Sequence, residues 1–548
     1  MAPDVPPAPD SDIPSRDITP GDIGREIRDF DRRQERRRRI VPRATLVGVL
    51  AGLVAAAFRL TLETADRARD GLFRAAHTLP GPWGLLLVLA VCGTGAGAAV
   101  WLVRRFAPET AGSGIPHLKA VLHRLRGMNW RRVLIVKFAS GTLGIGSGLA
   151  LGREGPTVQM GGALGQMVSG WLHSNARERH ILIAAGAGAG LAAAFNAPLA
   201  GVIFVLEELR RDFAPGALTG AFVASVTADV VVRLITGQSP VFHVANLPVP
   251  PLSTLPLFLI LGAVAGLLGV VFNRALLTSL RLFERVSRWP LALPAALVGV
   301  AIGLVGWFAP EALGGGGPLV QDLLGGKMGI YALSVLLLLR FGLTMASYGT
   351  GAAGGIFAPL LVLGAQAGLL VGLLGQRVFP SAAGFGASFA VVGMAALFTA
   401  IVRAPLTGIV LLLEMTASYP LMLPLLAACF IAYALADLFH DRPIYEALLE
   451  RDLLRSQKPA EGETGPTMIF EVLVEAGAPF DGRRVTDLGL PPGCLLIAIQ
   501  RDEREEVPSR DTVLHAGDRL TAVVAASAAG GVEILRHGAD YRGAAPVD

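Results

Sequence analysis

The chain has 548 residues, 52% of them hydrophobic and only 17% charged, with a mean hydropathy of +0.55. Soluble domains are about a quarter charged, so these values exclude a disordered or fibrous chain and argue against an ordinary soluble enzyme. The net charge of +5 needs no nucleic-acid partner, because basic loops flanking membrane spans produce such an excess unaided. Cys92, Cys429 and Cys494 show neither metal-ligand spacing nor a disulfide framework.

The first 43 residues are polar and rich in Pro, Asp and Arg. They lack the apolar core of roughly 7–15 residues that a secretory signal needs and read as a retained cytoplasmic tail. Arginines at 36–39 precede the first apolar segment, which begins near Ala44. Stretches 84–103, 252–272, 289–310 and 416–436 carry no charge, and each is near the ~20 residues a helix needs to cross hydrocarbon. Runs 181–206 and 341–376 are interrupted by Pro198 and Pro359. They predict helices that stop inside the membrane, where their free backbone groups are buried or line a cavity. The basic loop 123–132 belongs on the side of the N-terminus.

An internal repeat organises this region. The block Asn196-Ala197-Pro198-Leu199-Ala200-Gly201 through Glu207 aligns without gaps on Arg403-Ala404-Pro405-Leu406-Thr407-Gly408 through Glu414. Segment 152–156 corresponds to 355–359 at nearly the same offset. Duplicated halves with Gly/Pro-broken helices point to a transporter with its site between the repeats. We therefore expect an all-α polytopic membrane domain at 44–450, with repeats at about 44–240 and 250–450. A linker at 451–466 leads to a small α+β soluble domain at 467–540, with strands expected at 468–474, 494–500 and 520–524.

Three glycine-rich segments interrupt the apolar runs: Gly112-Ser113-Gly114-Ile115-Pro116, Gly152-Arg153-Glu154-Gly155-Pro156 and Gly355-Ile356-Phe357-Ala358-Pro359. Each closes with a proline, as in the first turn of a helix. Helix starts present free N–H groups and partial positive charge, and glycine lets the backbone approach an ion closely. Several converging starts can replace an anion's hydration shell without a full charge in hydrocarbon.

With these segments, the Pro-Leu-x-Gly blocks and Tyr445 after the last span, the chain resembles the CLC family of chloride channels and proton-coupled chloride transporters over about residues 40–450. The resemblance implies two inverted repeats of tilted, broken helices and a homodimer with a separate pore in each subunit. It implies an anion site formed by Ser113, Tyr445 and the backbone of Ile356 and Phe357, with Gly112, Gly114, Arg153 and Gly155 in the surrounding motifs. Glu154, an ionisable group in an apolar span, becomes a gate whose carboxylate takes a chloride's place until protonated. The alternative for it is a structural salt bridge with Arg153. Glu208 becomes an internal proton-transfer group, as in proton-coupled members. The alternative is a helix-end charge paired with Arg210 or Arg211. Its second-repeat counterpart is Met415.

Ser113 favours chloride, since nitrate-preferring relatives often carry Pro there and the fluoride branch departs from the motif. Ala353 replaces a proline common in relatives and is expected to loosen its loop. The C-terminal domain resembles the TrkA-C-like module of regulators of potassium conductance through Phe480-Asp481-Gly482-Arg483-Arg484, Leu490-Pro491-Pro492-Gly493, Arg501-Asp502 and the stretch 513–520. It is either a ligand-sensing or dimerising unit or a structural cap.

Other motifs fail. Gly349-x-Gly351-x-x-Gly354 lies in a charge-free run without the later acidic residue of a dinucleotide site, and Gly326-Lys327-Met328 lacks the rest of a phosphate loop. The expectation is a non-enzyme, without cofactor or metal, exchanging chloride for protons in a bacterial inner membrane with both termini cytoplasmic. The alternatives are a proton-gated chloride channel without coupled proton transport, and a membrane-tethered sensor.

Overall fold

In the computed structural model residues 20–540 are described, apart from 213, 239–241, 243–246, 287–289, 291, 327, 457–466, 502–503 and 526–529. Residues 1–19 of the expected tail, most of the linker and Trp289 at the start of one apolar run lie outside the described residues. The chain divides at Leu454/Arg455 into two units.

Helices of the first repeat are α1 (Pro20–Ala76), α2 (Trp83–Phe106), α3 (Ile115–Leu122), α4 (Trp130–Gly146), α5 (Glu154–Trp171), α6 (Ala176–Phe195), α7 (Pro198–Phe204) and α8 (Pro215–Thr236). Those of the second are α9 (Leu255–Arg285), α10 (Leu293–Phe308), α11 (Gly317–Leu324), α12 (Ile330–Gly349), α13 (Phe357–Gly375), α14 (Gly386–Val402), α15 (Pro405–Thr416) and α16 (Met422–Leu438). The membrane domain ends with α17 (Ile444–Ser456). Among the described residues, seven helices are long and apolar enough to span a membrane.

The polar tail is helical from Pro20 into the first span, its Arg- and Glu-rich sequence being a good helix former. The run 416–436 is divided, because Thr416 ends α15 and the next helix begins at Met422. The break in 341–376 falls at Thr350–Ile356, upstream of Pro359, which sits in the first turn of α13.

Helices α5, α6, α13 and α14 are buried nearly all round and form the centre. Their glycines set the approach. A Cβ on Gly161 would run into the Gly186 carbonyl, and one on Gly364 would stand 2.5 Å from the Gly393 carbonyl oxygen. The small-x-x-x-small pattern of membrane helices thus packs α5 on α6 and, by the same device, α13 on α14.

The inverted repeats exchange backbone and side-chain partners. Gly152 N–H donates to Gly355 O and Gly355 N–H to Gly152 O, both at 2.7 Å, in an antiparallel bridge. Glu207 accepts from the N–H groups of Leu406 (3.0 Å) and Thr407 (2.7 Å) at the start of α15. Glu414 accepts from Leu199 (3.0 Å) and Ala200 (2.8 Å) at the start of α7. Each repeat therefore supplies the carboxylate that satisfies the orphan donors of the other's broken helix.

The C-terminal unit is a four-stranded antiparallel sheet of order β1-β4-β2-β3, with β1 Thr467–Leu473, β2 Cys494–Arg501, β3 Arg504–Glu506 and β4 Arg519–Ala525. A closing helix α18 (Gly530–Ala539) packs Leu535 into the core with Phe480, Leu496, Ile499 and Leu520. β3 was not among the expected strands, and α18 supplies the helical part of the expected α+β domain. Arg501 donates from Nε and Nη2 to the two oxygens of Asp518 at 2.8 and 2.7 Å, and His515 N–H adds a third bond at 2.8 Å. Burial pushes the Asp518 carboxyl up, but these bonds outweigh it and hold the group below the usual carboxylate range.

Glu414→Ala is expected to lower stability in detergent by about 1–2 kcal/mol, the cost of an uncapped helix start, read as a lower unfolding temperature. Asp518→Asn is expected to raise amide exchange in β2 and β4 about tenfold or more, since a charge-assisted pair contributes roughly 1.5–3 kcal/mol. A depressed carboxyl stabilises above its unfolded pKa, so wild-type protection there is expected to decline as the pH falls below about 4.

Candidate functional site

The glycine segments converge on one point. Gly112 and Gly114 adopt left-handed φ of +61° and +80°, a conformation that favours glycine, and this turns Ser113 into the centre just before α3. A Cβ on Gly155 would lie 2.9 Å from Ser113 Cα and 3.0 Å from Gly355 Cα. The starts of α3, α5 and α13 are thus packed backbone to backbone. Ser113, Ile356, Phe357 and Tyr445 all have zero exposure. The loop carrying Ala353 is tied down on both sides, Gly112 N–H donating to Ala352 O (3.1 Å) and Gly354 N–H to Gly112 O (3.0 Å). The expected loosening is offset by this pairing.

Glu154 is the first residue of α5 and is buried. Its carboxylate lies against the backbone N–H groups of Ala358, in the first turn of α13, and of Glu154 itself, while Oε2 makes no hydrogen bond. A carboxylate from one repeat thus occupies the anion-favouring helix start of the other. Arg153 turns away, with Nη2 3.4 Å from Ala194 O. No Arg153–Glu154 ion pair within 4 Å occurs among the described residues, so the salt-bridge alternative is not what the fold builds.

Around this point the Phe357 ring packs with Phe398 at 4.6 Å between centroids, Phe204 at 5.9 Å and Phe195 at 6.0 Å. Tyr445, near the start of α17, faces Phe357 at 6.4 Å. Its hydroxyl is buried without a partner and lies within electrostatic range of both Glu154 and Glu208.

Glu208 lies in a π-helical turn, Val205–Arg210, that continues α7. Such turns are rare and often functional. Its partner is neither expected arginine. Lys119 Nζ, on α3, donates to Glu208 Oε1 at 2.7 Å, with side-chain exposures of 4% and 1%. Arg210 pairs with Asp212 at 3.2 Å, while Arg211 pairs with Glu446, which is also 3.8 Å from Lys119. The sequence offered one signal for Lys119: a cation three positions after Pro116 in a short helix whose one other polar side chain is His117.

Two cavities bear on these residues. One of about 830 Å³ is lined by Glu154, Arg153, Asp66, Arg69, Gly314–Gly317 and Met415. The other, about 320 Å³, is lined by Glu207, Arg211, Arg403, Asp437 and Glu446. Met415, the counterpart of Glu208, lines the first cavity, whereas Glu446 lines the second.

These features define a membrane domain of inverted repeats whose broken helices point their starts at a shared buried centre. A family model described as voltage gated chloride channel matches residues 95–437, and one described as TrkA-C domain matches residues 469–532. The chain belongs to the voltage-gated chloride channel (CLC) family and carries a TrkA-C domain. It is 42% identical over 429 residues to the H(+)/Cl(-) exchange transporter ClcA of Vibrio cholerae serotype O1, covering 77% of this chain and 91% of that protein. It is 39% identical over 454 residues to ClcA of Salmonella arizonae, covering 81% and 95%. The crystal structure of a slow cyanobacterial Cl-/H+ antiporter superposes with a TM-score of 0.73 at 37% identity, covering 77% of this chain and 99% of that one.

Removing one partner of a buried pair strands the other charge, at a cost of about 3–5 kcal/mol. Lys119→Met is therefore expected to destabilise the membrane domain by that order, and Lys119→Met combined with Glu208→Leu to recover most of the loss. Unfolding temperatures of the two variants in detergent check this.

Proposed function

We propose that this protein exchanges chloride for protons across a membrane, with Glu154 as the gate and Glu208 as the internal proton-transfer group. One observation carries the reading: the buried Glu154 carboxylate lies against the backbone N–H of Ala358 at the start of α13, where a bound anion would lie, with its second oxygen unpartnered. The exchange activity of relatives at 39–42% identity supports it.

In this reading chloride binds between the Ser113 hydroxyl, the Tyr445 phenol and the N–H groups of Ile356 and Phe357. Neutral donors suit an ion that must bind and still leave. Protonation of Glu154 cancels its claim on the helix start, so the side chain gives way to chloride and carries the proton to the large cavity. Glu208 delivers protons from the other face, where Lys119, Arg211 and Glu446 surround it. That face is the cytoplasmic one if the basic stretch 36–39 obeys the positive-inside bias. The exposed apolar surfaces of α8, α9 and α16, including Phe222, Leu267 and Phe430, suit lipid and the expected homodimer contact. The TrkA-C domain is an accessory unit in this scheme.

A second reading, a proton-gated chloride channel, draws on the Lys119–Glu208 ion pair at 2.7 Å, which gives the internal carboxylate a structural partner and a place in the fold without any proton transfer. Purified protein in liposomes with a chloride gradient and no proton gradient separates the two. Uphill proton movement driven by chloride is expected for exchange, and chloride flux alone would establish the channel. Glu154→Ala is expected to abolish proton coupling while chloride still moves, and Glu208→Gln to do the same. Retained coupling in either variant would remove that residue from its role.

A further inference from the structure

The relation between the repeats maps the Ser113 segment onto a second glycine turn that the proposed exchange leaves unused. The turn Pro108–Thr110 precedes Gly112-Ser113-Gly114-Ile115-Pro116, and Pro310–Ala312 precedes Gly314-Gly315-Gly316-Gly317-Pro318, at an offset of 202 (314 against 112). Gly314 and Gly316 have φ of +62° and +78°, against +61° and +80° at Gly112 and Gly114. A helix follows each turn with proline in its first turn, α3 in one repeat and α11 in the other.

A fully buried cation lies beneath each turn. Lys137 Nζ donates to the carbonyls of Thr110 and Gly112 at 2.8 and 2.7 Å. Arg340 Nη1 donates to those of Ala312 and Gly314 at 2.8 and 2.9 Å. Arg340, with no exposure, keeps Nε and Nη2 without partners. Nη2 is turned toward Gly316, 2.7 Å from where a Cβ would stand there, so one glycine separates this unspent charge from the large cavity. Gly314–Gly317 line that cavity together with Glu154. Of the other acidic groups lining it, Asp66 and Asp70 pair with Arg69 at 2.7 and 3.1 Å and Glu63 with Arg59 at 2.9 Å, while Glu311 is exposed.

We propose that the Gly314–Pro318 turn, the start of α11 and the charge of Arg340 form a second anion site on the Glu154 side, taking chloride or a halide of similar size. The free N–H groups of the first helical turn bind the ion, and Arg340 acts from behind the glycine as Lys137 does behind Gly112. The site holds chloride one step away from Glu154, and it rests on the reading that chloride uses this cavity.

The test uses full-length crystals grown in bromide, measured at the bromine absorption edge, in wild type, Gly317→Ala and Gly317→Asp. Nothing lies within 4 Å of a Cβ at Gly317, so both substitutions fit, and Asp puts a competing carboxylate at the helix start. Peaks beside Ser113 and beside Gly315–Gly317 are expected in wild type and Gly317→Ala, with only the Ser113 peak left in Gly317→Asp. The half-saturating chloride concentration on the Glu154 side is expected to rise about tenfold in Gly317→Asp. A Ser113 peak with none at α11 overturns this site and leaves the exchange reading intact. A peak at α11 that survives Gly317→Asp with unchanged chloride dependence is an adventitious ion only and also overturns it. No peak at either place counts against both.

Discussion

The membrane domain depends on two peptide groups, those of Gly152 and Gly355, hydrogen-bonded to each other where the repeats meet. This bridge points the starts of α5 and α13 at one another inside the protein, where no water competes. Gly155 close by must lack a side chain, since a Cβ there would strike Ser113 and Gly355. Once the bridge is formed, the first residue of α5 reaches the backbone of α13. A carboxylate at that position is held by the opposite repeat, which is where Glu154 stands.

The same arrangement explains how so many charged groups survive in an apolar core. Each buried charge has backbone dipoles or an opposite charge assigned to it. Lys137 and Arg340 bind pairs of carbonyls, Glu207 and Glu414 bind pairs of N–H groups, and Lys119 binds Glu208. All but the last pair occur twice, once per repeat. The Lys119–Glu208 pair is the exception that makes the two ends of the domain chemically different. Its second-repeat counterpart ends in Met415, which lines the larger cavity.

Much of this was legible in the sequence because it rests on local signals. Glycine–proline punctuation marked the helix starts, charge-free runs marked the spans, and the repeated Pro-Leu-x-Gly blocks marked the duplication. The closing glutamates of those blocks were visible too, but their capping of the opposite repeat is a contact across some 200 residues that no local pattern encodes. The Lys119–Glu208 pair escaped for the same reason: nearby Arg210 and Arg211 were the local choice, and the π-helical turn aimed the carboxylate elsewhere. The helical tail was missed because strongly charged sequence reads as solvated chain, although Arg and Glu favour helix. In the C-terminal domain three strands announced themselves as short apolar runs bounded by turn residues, whereas β3 is three residues long and charged.

The exchanged caps bear on how the chain is made. The N–H groups at the start of α7 wait for Glu414, 215 residues further along, and Gly152 waits for Gly355. At roughly 5–20 residues per second of synthesis, the first half spends on the order of 10–40 s with its broken helices unsatisfied. During that interval it is an incomplete body in the bilayer, dependent on the insertion machinery or on water held in its half-built vestibule. The second half arrives as the inverted copy that completes it, so assembly of the domain is closer to the joining of two partners than to the growth of one.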